Sequence, residues 1–134
     1  MWVKDVPVLG HGDYHYVHEP ILYGYAPSER RRGRGAGGWY GGNGQRSVIE
    51  VPRPKASADH PTSKPVELVR RLIANSSRSG QAVLDPFVGS GTTLVACELL
   101  GRRGFGVELD TSYCDVAIAR LEALTGVRAR RRAR

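Results

Sequence analysis

An open α/β fold with parallel strands is what this sequence predicts, on three observations. Helical and strand signals alternate between Thr62 and Gly126, two short apolar runs each end in an acid, and the turn after the first run is rich in glycine. Strands separated by helices of roughly 10–15 residues require crossover connections, and such crossovers make the strands parallel.

Each element has a local reason. Pro65 suits the first turn of a helix, because its missing N–H would be unpaired there, and Glu67 complements the positive end of the helix dipole. Val66, Val69 and Ile73, flanked by Leu68 and Leu72, form an apolar stripe of helical period that Ser76–Gly80 closes. Gln81–Leu84 then reads as a strand ending in Asp85, and the turn Pro86–Gly91 leads into a helix over Thr92–Leu100 with Gly101 just past its end. Arg103–Val107 reads as a second strand, ending in Glu108. Thr111 or Ser112 is placed to cap a last helix whose apolar face is Tyr113, Val116, Ala117, Ala119, Leu121 and Leu124, with Gly126 as its stop.

The remainder is less regular. Residues 1–25 have strand character, and His15–Tyr25 reads as one strand or a bent pair. Residues 26–61 hold seven of the 17 glycines between Gly33 and Gly44, a density that excludes a helix; a short strand at Ser47–Val51 and an extended, proline-rich linker follow. Residues 127–134 are an Arg-rich tail with no apolar anchor, and disorder is expected there.

Charge and cysteine content bound the function. The net charge of +7 comes from Arg30, Arg31, Arg32 and Arg34 and from Arg128, Arg130, Arg131, Arg132 and Arg134; without these nine the chain carries −2. No apolar run approaches the roughly 20 residues that span a bilayer, and the N-terminus has no secretory pattern, so a cytoplasmic location and no membrane partner are expected. Cys97 and Cys114 fall in helical segments and read as buried thiols rather than a bridge. His11, His15 and His18 would point to different faces of a strand and lack partners for a tetrahedral set, so no metal is expected.

The glycine turn points to a ligand. In open parallel sheets ligands bind beyond the carboxyl ends of the strands, where Gly89, Ser90 and Gly91 allow close approach. Glu108 follows 17 residues after Gly91, placed to accept from the hydroxyls of a ribose. Leu94 stands where a dinucleotide fingerprint needs glycine, and Thr92 stands where a Walker loop needs lysine, which argues against NAD and ATP. A ribose-bearing ligand without phosphate remains, with Asp85 placed to meet an ammonium; S-adenosylmethionine has both groups.

The segments HPTSKPVELV and VLDPFVGSGTTLVACELLGRRGFGVELD closely resemble the C-terminal half of bacterial and phage DNA methyltransferases that modify adenine N6 or cytosine N4. HEPILYG resembles the strand region that precedes the target-recognition segment of that family. The resemblance implies a partial Rossmann-like methyltransferase sheet, truncated at the N-terminal catalytic half, with residues 62–126 as the S-adenosylmethionine-binding unit. It implies cofactor contacts from Thr62, Lys64, Pro65, Asp85, Phe87, Gly89, Ser90, Gly91, Thr92 and Glu108. It also places target recognition in residues 26–61, where Arg30, Arg31, Arg32, Arg34, Trp39, Tyr40, Asn43 and Arg46 combine cations and aromatics suited to double-stranded DNA.

One family element is missing. The Asp/Asn/Ser-Pro-Pro-aromatic tetrapeptide that receives the target amine has no counterpart, because the sequence contains no Pro-Pro dipeptide. In the permuted motif order that this arrangement resembles, the catalytic half lies upstream, on the same gene or on a separate chain. Marginal stability, weak or no cofactor binding and no methyl transfer by this chain alone are therefore expected. The alternatives are a catalytically inert remnant that binds cofactor or DNA and, ranked far lower, a piece of a nucleotide-binding oxidoreductase.

Overall fold

The computed structural model describes residues 1–8, 13–24, 38–52 and 63–132. Helix α1 (Val66–Ser76) is shared by two small sheets. One sheet contains β1 (Trp2–Val8), β2 (Tyr16–Glu19) and β3 (Ile49–Glu50) in the order β2-β1-β3. The other pairs β4 (Ala82–Asp85) with β5 (Arg103–Gly106). Helix α2 (Thr92–Leu99) connects β4 to β5, and α3 (Thr111–Thr125) follows β5.

The three-stranded sheet is mixed. β2 runs antiparallel to β1, with Trp2 opposite Glu19 and an irregular register between Val3 and Val8, whereas β3 runs parallel to β1 at Trp2 and Val3. Pro7 is tolerated because β3 pairs only at the start of β1, so the missing N–H falls beyond that ladder. Trp2, Ile49 and Leu68 form the core, and the indole N–H of Trp2 donates to the Val51 carbonyl at 2.8 Å.

The opposite flank of α1 packs on the second sheet. Ile73 meets Ala96 and Cys97 of α2, with Val66, Val69, Val83 and Leu100 around them. β4 and β5 are parallel in the register Ala82–Arg103 through Asp85–Gly106, as the crossover requires. Gly106 permits close packing: a β-carbon there would lie 2.9 Å from a Val88 methyl. The guanidinium of Arg102 donates to Ser77 O at 2.7 Å and also to Leu100 O, tying together the ends of α1 and α2. Leu84 and Phe105, register partners, are both more than half exposed, so part of this sheet's apolar surface has no cover among the described residues.

The helix ends refine the sequence reading. α1 begins at Val66 with Pro65 as its N-cap in extended conformation, one residue later than expected. α3 is capped by Asp110, not by Thr111 or Ser112: its carboxylate accepts from the N–H of Ser112 at 2.8 Å and from its hydroxyl at 2.7 Å. Gly126 ends α3 in the left-handed region, as expected. Of the apolar face assigned to α3, Ala117 is buried, whereas Ala119 and Leu124 are exposed. Beyond it, the Ala129 N–H donates to Glu122 at 2.7 Å. Cys97 and Cys114 are free thiols; burial pushes the Cys97 thiol up from its ordinary pKa. No helix among the described residues is long and apolar enough to cross a membrane.

Candidate functional site

The carboxyl ends of β4 and β5 open onto a cleft of about 340 Å³ that contains Asp85, Phe87, Gly89, Ser90, Thr92 and Glu108. This volume lies within the ~300–1,000 Å³ of small-molecule sites. Ser63, Lys64, Val69, Val88, Thr93 and Tyr113 complete the lining. Most of the cofactor residues expected from sequence therefore converge on one place. Pro65 is buried at the start of α1, and Gly91 is buried at the base of the turn. Thr62 lies outside the described residues.

The turn has a defined geometry. The Gly91 N–H donates to Val88 O at 2.9 Å, closing a four-residue turn in which Gly89 has φ +51° and Ser90 has negative φ, the pattern of a type II′ turn. Gly91 follows at φ +82°, and a β-carbon there would stand 2.8 Å from the Ala117 β-carbon. Both its conformation and its contact with α3 require glycine. The expected glycines thus serve the turn itself and the approach of α3.

Backbone amides hold the two acids. Glu108 accepts from the Gly89 N–H at 2.7 Å through one oxygen, and from the Leu109 and Asp110 N–H groups at 2.9 and 3.0 Å through the other. Amide donation from Asp110, then from Gly89, holds its carboxyl below the usual range, so it is ionised at neutral pH. A carboxylate offers about four acceptor positions. Three are taken, which leaves room for one ribose hydroxyl on the oxygen facing Gly89, not the two that the sequence pattern alone would allow. Asp85 accepts from the Phe87 N–H at 2.9 Å and from the Thr93 hydroxyl at 2.6 Å, one bond to each oxygen. Each oxygen keeps one acceptor position.

Lys64 is aimed elsewhere. Its ammonium lies 2.8 Å from Glu19 and 5.6 Å from the Trp2 ring centroid, while Glu19 also pairs with Lys4 at 2.7 Å. Burial raises the Glu19 pKa, but hydrogen bonds from Lys4 and Lys64 outweigh it and bring the pKa below its ordinary value. This cluster anchors the entry of α1. The adjacent Ser63 hydroxyl reaches Ser90 at 3.1 Å.

Arg120 went unnoticed in the sequence, where it reads as an ordinary solvent-facing charge on α3. Its guanidinium donates to Ser90 O at 2.7 Å, to the Ser90 hydroxyl at 3.0 Å and to the Thr92 hydroxyl at 3.3 Å. Among the described residues it pairs with no carboxylate, and burial lowers its pKa.

Of the residues expected to contact DNA, the described ones are not part of this cleft's lining. Arg30, Arg31, Arg32 and Arg34 are outside the described residues. Trp39 donates to Gly42 O at 3.2 Å and packs edge-on against Tyr23, and the Tyr40 ring carries the Arg78 guanidinium at 4.9 Å. Both rings are thus engaged within the chain. Trp39 and Arg46 line a second cleft of about 430 Å³ beside the three-stranded sheet, and Asn43 is exposed. Among the described residues no three His, Cys, Asp or Glu side chains converge as a metal site.

A parallel strand–turn–helix–strand unit with acids at two successive strand ends is the arrangement in which open α/β proteins hold nucleoside cofactors. The family of N6/N4 DNA methylases matches residues 11–119, and the chain belongs to that family. It is 34% identical over 120 residues to the type II methyltransferase M.Cfr9I of Citrobacter freundii, covering 90% of this chain and 39% of that protein. It is 48% identical over 69 residues to the type II methyltransferase M2.DpnII of Streptococcus pneumoniae, covering 52% of this chain and 26% of the other. The solved structure of an M1.HpyAVI–SAM complex superposes with a TM-score of 0.59 at 27% identity, over 90% of this chain and 59% of that one. The chain therefore spans less than half the length of these two curated relatives.

Proposed function

We propose that this chain forms the cofactor side of an S-adenosylmethionine-dependent DNA methyltransferase acting on adenine N6 or cytosine N4. The observation that carries the reading is the pair Asp85 and Glu108 on one cleft. Both are bonded to neutral donors, and among the described residues neither pairs with a Lys or Arg. A cleft with two uncompensated carboxylates favours a cationic ligand and disfavours a pyrophosphate. S-adenosylmethionine fits this set of acceptors: Glu108 has one position for a ribose hydroxyl, and Asp85 has positions for an ammonium.

When bound, the cofactor supplies an activated methyl group on a sulfonium. The chain's own residues bind and orient it: Gly89–Gly91 bring the backbone close, Glu108 fixes the sugar, and Asp85 fixes the amino-acid end. Alignment with the acceptor amine accounts for much of the catalysis of such a transfer. The acceptor base must leave the duplex to be reached. Its pocket comes from a Pro-Pro-containing segment outside this sequence, on the same or a separate polypeptide, and Arg30, Arg31, Arg32, Arg34 and Arg46 contribute phosphate contacts. Glu108→Ala is expected to abolish any S-adenosylmethionine binding that the chain shows in a titration, and label from the cofactor is expected not to reach DNA with this chain alone. Binding retained by the variant, or labelled DNA, contradicts the reading. Replacing Arg30, Arg31, Arg32 and Arg34 by Gln is expected to flatten the salt dependence of DNA binding; an unchanged slope rejects that contact.

The absence of a Pro-Pro dipeptide favours one second reading. In it the chain binds cofactor or DNA without transferring a methyl group. Methyl transfer restored by adding a polypeptide that carries the missing tetrapeptide excludes it.

A further inference from the structure

We propose that Arg120 is the positioning residue of the glycine turn, locking it from behind in the conformation that receives the cofactor. As a role in cofactor binding, this rests on the reading of the cleft given above.

The backbone geometry sets out the role. The carbonyl and N–H of a trans peptide point in opposite directions. By holding Ser90 O at 2.7 Å, Arg120 therefore also directs the Gly91 N–H toward Val88 O, the bond that closes the turn. The same nitrogen reaches the Thr92 hydroxyl, so the turn and the first residue of α2 are held by one group on α3. Arg120 also donates to the Ser90 hydroxyl, whose proton is then free to reach Ser63, on the segment that enters α1.

Packing brings α3 to the same point. Ala117, three residues before Arg120 and on the same helix face, is the contact that a side chain at Gly91 would violate. Tyr113, one turn earlier, lines the cleft. The face Tyr113–Ala117–Arg120 thus supports the turn from below. A half-buried guanidinium without a carboxylate is less costly where neutral oxygens accept from it, and here two hydroxyls and one carbonyl surround Nη1. That arrangement ties the charge to one turn conformation.

The test compares the full chain with Arg120→Ala and Arg120→Lys, by residue-resolved amide exchange without ligand and by S-adenosylmethionine titration. In Arg120→Ala, exchange at Gly89 and Gly91 is expected to accelerate about tenfold or more while amides of α1 stay unchanged. The dissociation constant is expected to rise by about the same factor. Millimolar guanidinium, or the Lys variant, is expected to recover part of both losses. Unchanged turn exchange overturns the proposal, as does uniform acceleration throughout the chain without rescue, the signature of a merely structural role. Loosening confined to the turn and rescued by guanidinium, with an unchanged S-adenosylmethionine dissociation constant, upholds the lock and refutes its part in cofactor binding instead.

Discussion

The three-stranded sheet around Trp2 and the β4–β5 pair share α1 as a common wall, yet they are held by different means. In the second unit every strand-to-helix connection is local: the glycine turn closes within four residues, and Glu108 is satisfied by the turn and by its two following amides. In the first, β1 finds its partners at Glu19 and Ile49, and its buried Lys4 is tolerated because Glu19 and the Trp2 ring face it. The difference shows how this chain divides its labour. The cofactor cleft sits on the unit that short-range geometry builds, and the unit that depends on distant partners supplies the anchor for α1.

Core truncation on the two flanks of α1 separates the units most strongly. Leu68→Ala and Ile73→Ala are each expected to cost about 2–5 kcal/mol. Leu68 faces Trp2 and Ile49, so amide exchange should rise first in β1–β3; Ile73 faces α2, so it should rise first in β4 and α2. The same residues losing protection in both variants would show that the units fold as one.

Acid provides a smaller contrast. The pKa values of Glu19 in the first unit, and of Glu108 and Asp110 in the second, are lowered in the folded state. Groups shifted in this direction contribute stability that is present above the unfolded carboxylate pKa and is lost as pH falls through the lower folded values. Stability is therefore expected to hold from neutral pH to about pH 4 and to decline below it. Glu19→Gln should cost about 1–3 kcal/mol at neutral pH, because Lys4 loses its partner, and should weaken the acid dependence of β1–β2 alone. A variant with the same acid profile in both units would remove Glu19 from the account.

The same division explains what could be read from sequence. The βαβα unit was legible because its punctuation is local: Gly89–Gly91, Gly101 and Gly126 mark each boundary, and the acids Asp85 and Glu108 stand at the strand ends. The alternation did not reveal β1 as a separate strand, since Lys4, Asp5 and Pro7 break its apolar pattern and its partners lie far along the chain. Lys64, expected at the cofactor, lines the cleft but pairs its ammonium with Glu19, a contact that no spacing encodes. Asp110 had the signal of a cap two residues before Ser112. Arg120 had none, because only the packing of α3 against Gly91 turns a helix-surface arginine toward the turn.

The most direct test is to follow the backbone amides of the full chain by NMR during titration with S-adenosylmethionine, with NAD as a parallel ligand. Saturable shifts confined to Gly89–Thr93 and to Leu109 and Asp110, seen with S-adenosylmethionine and not with NAD, are the predicted result. Shifts elsewhere, or equal shifts with NAD, would contradict the account.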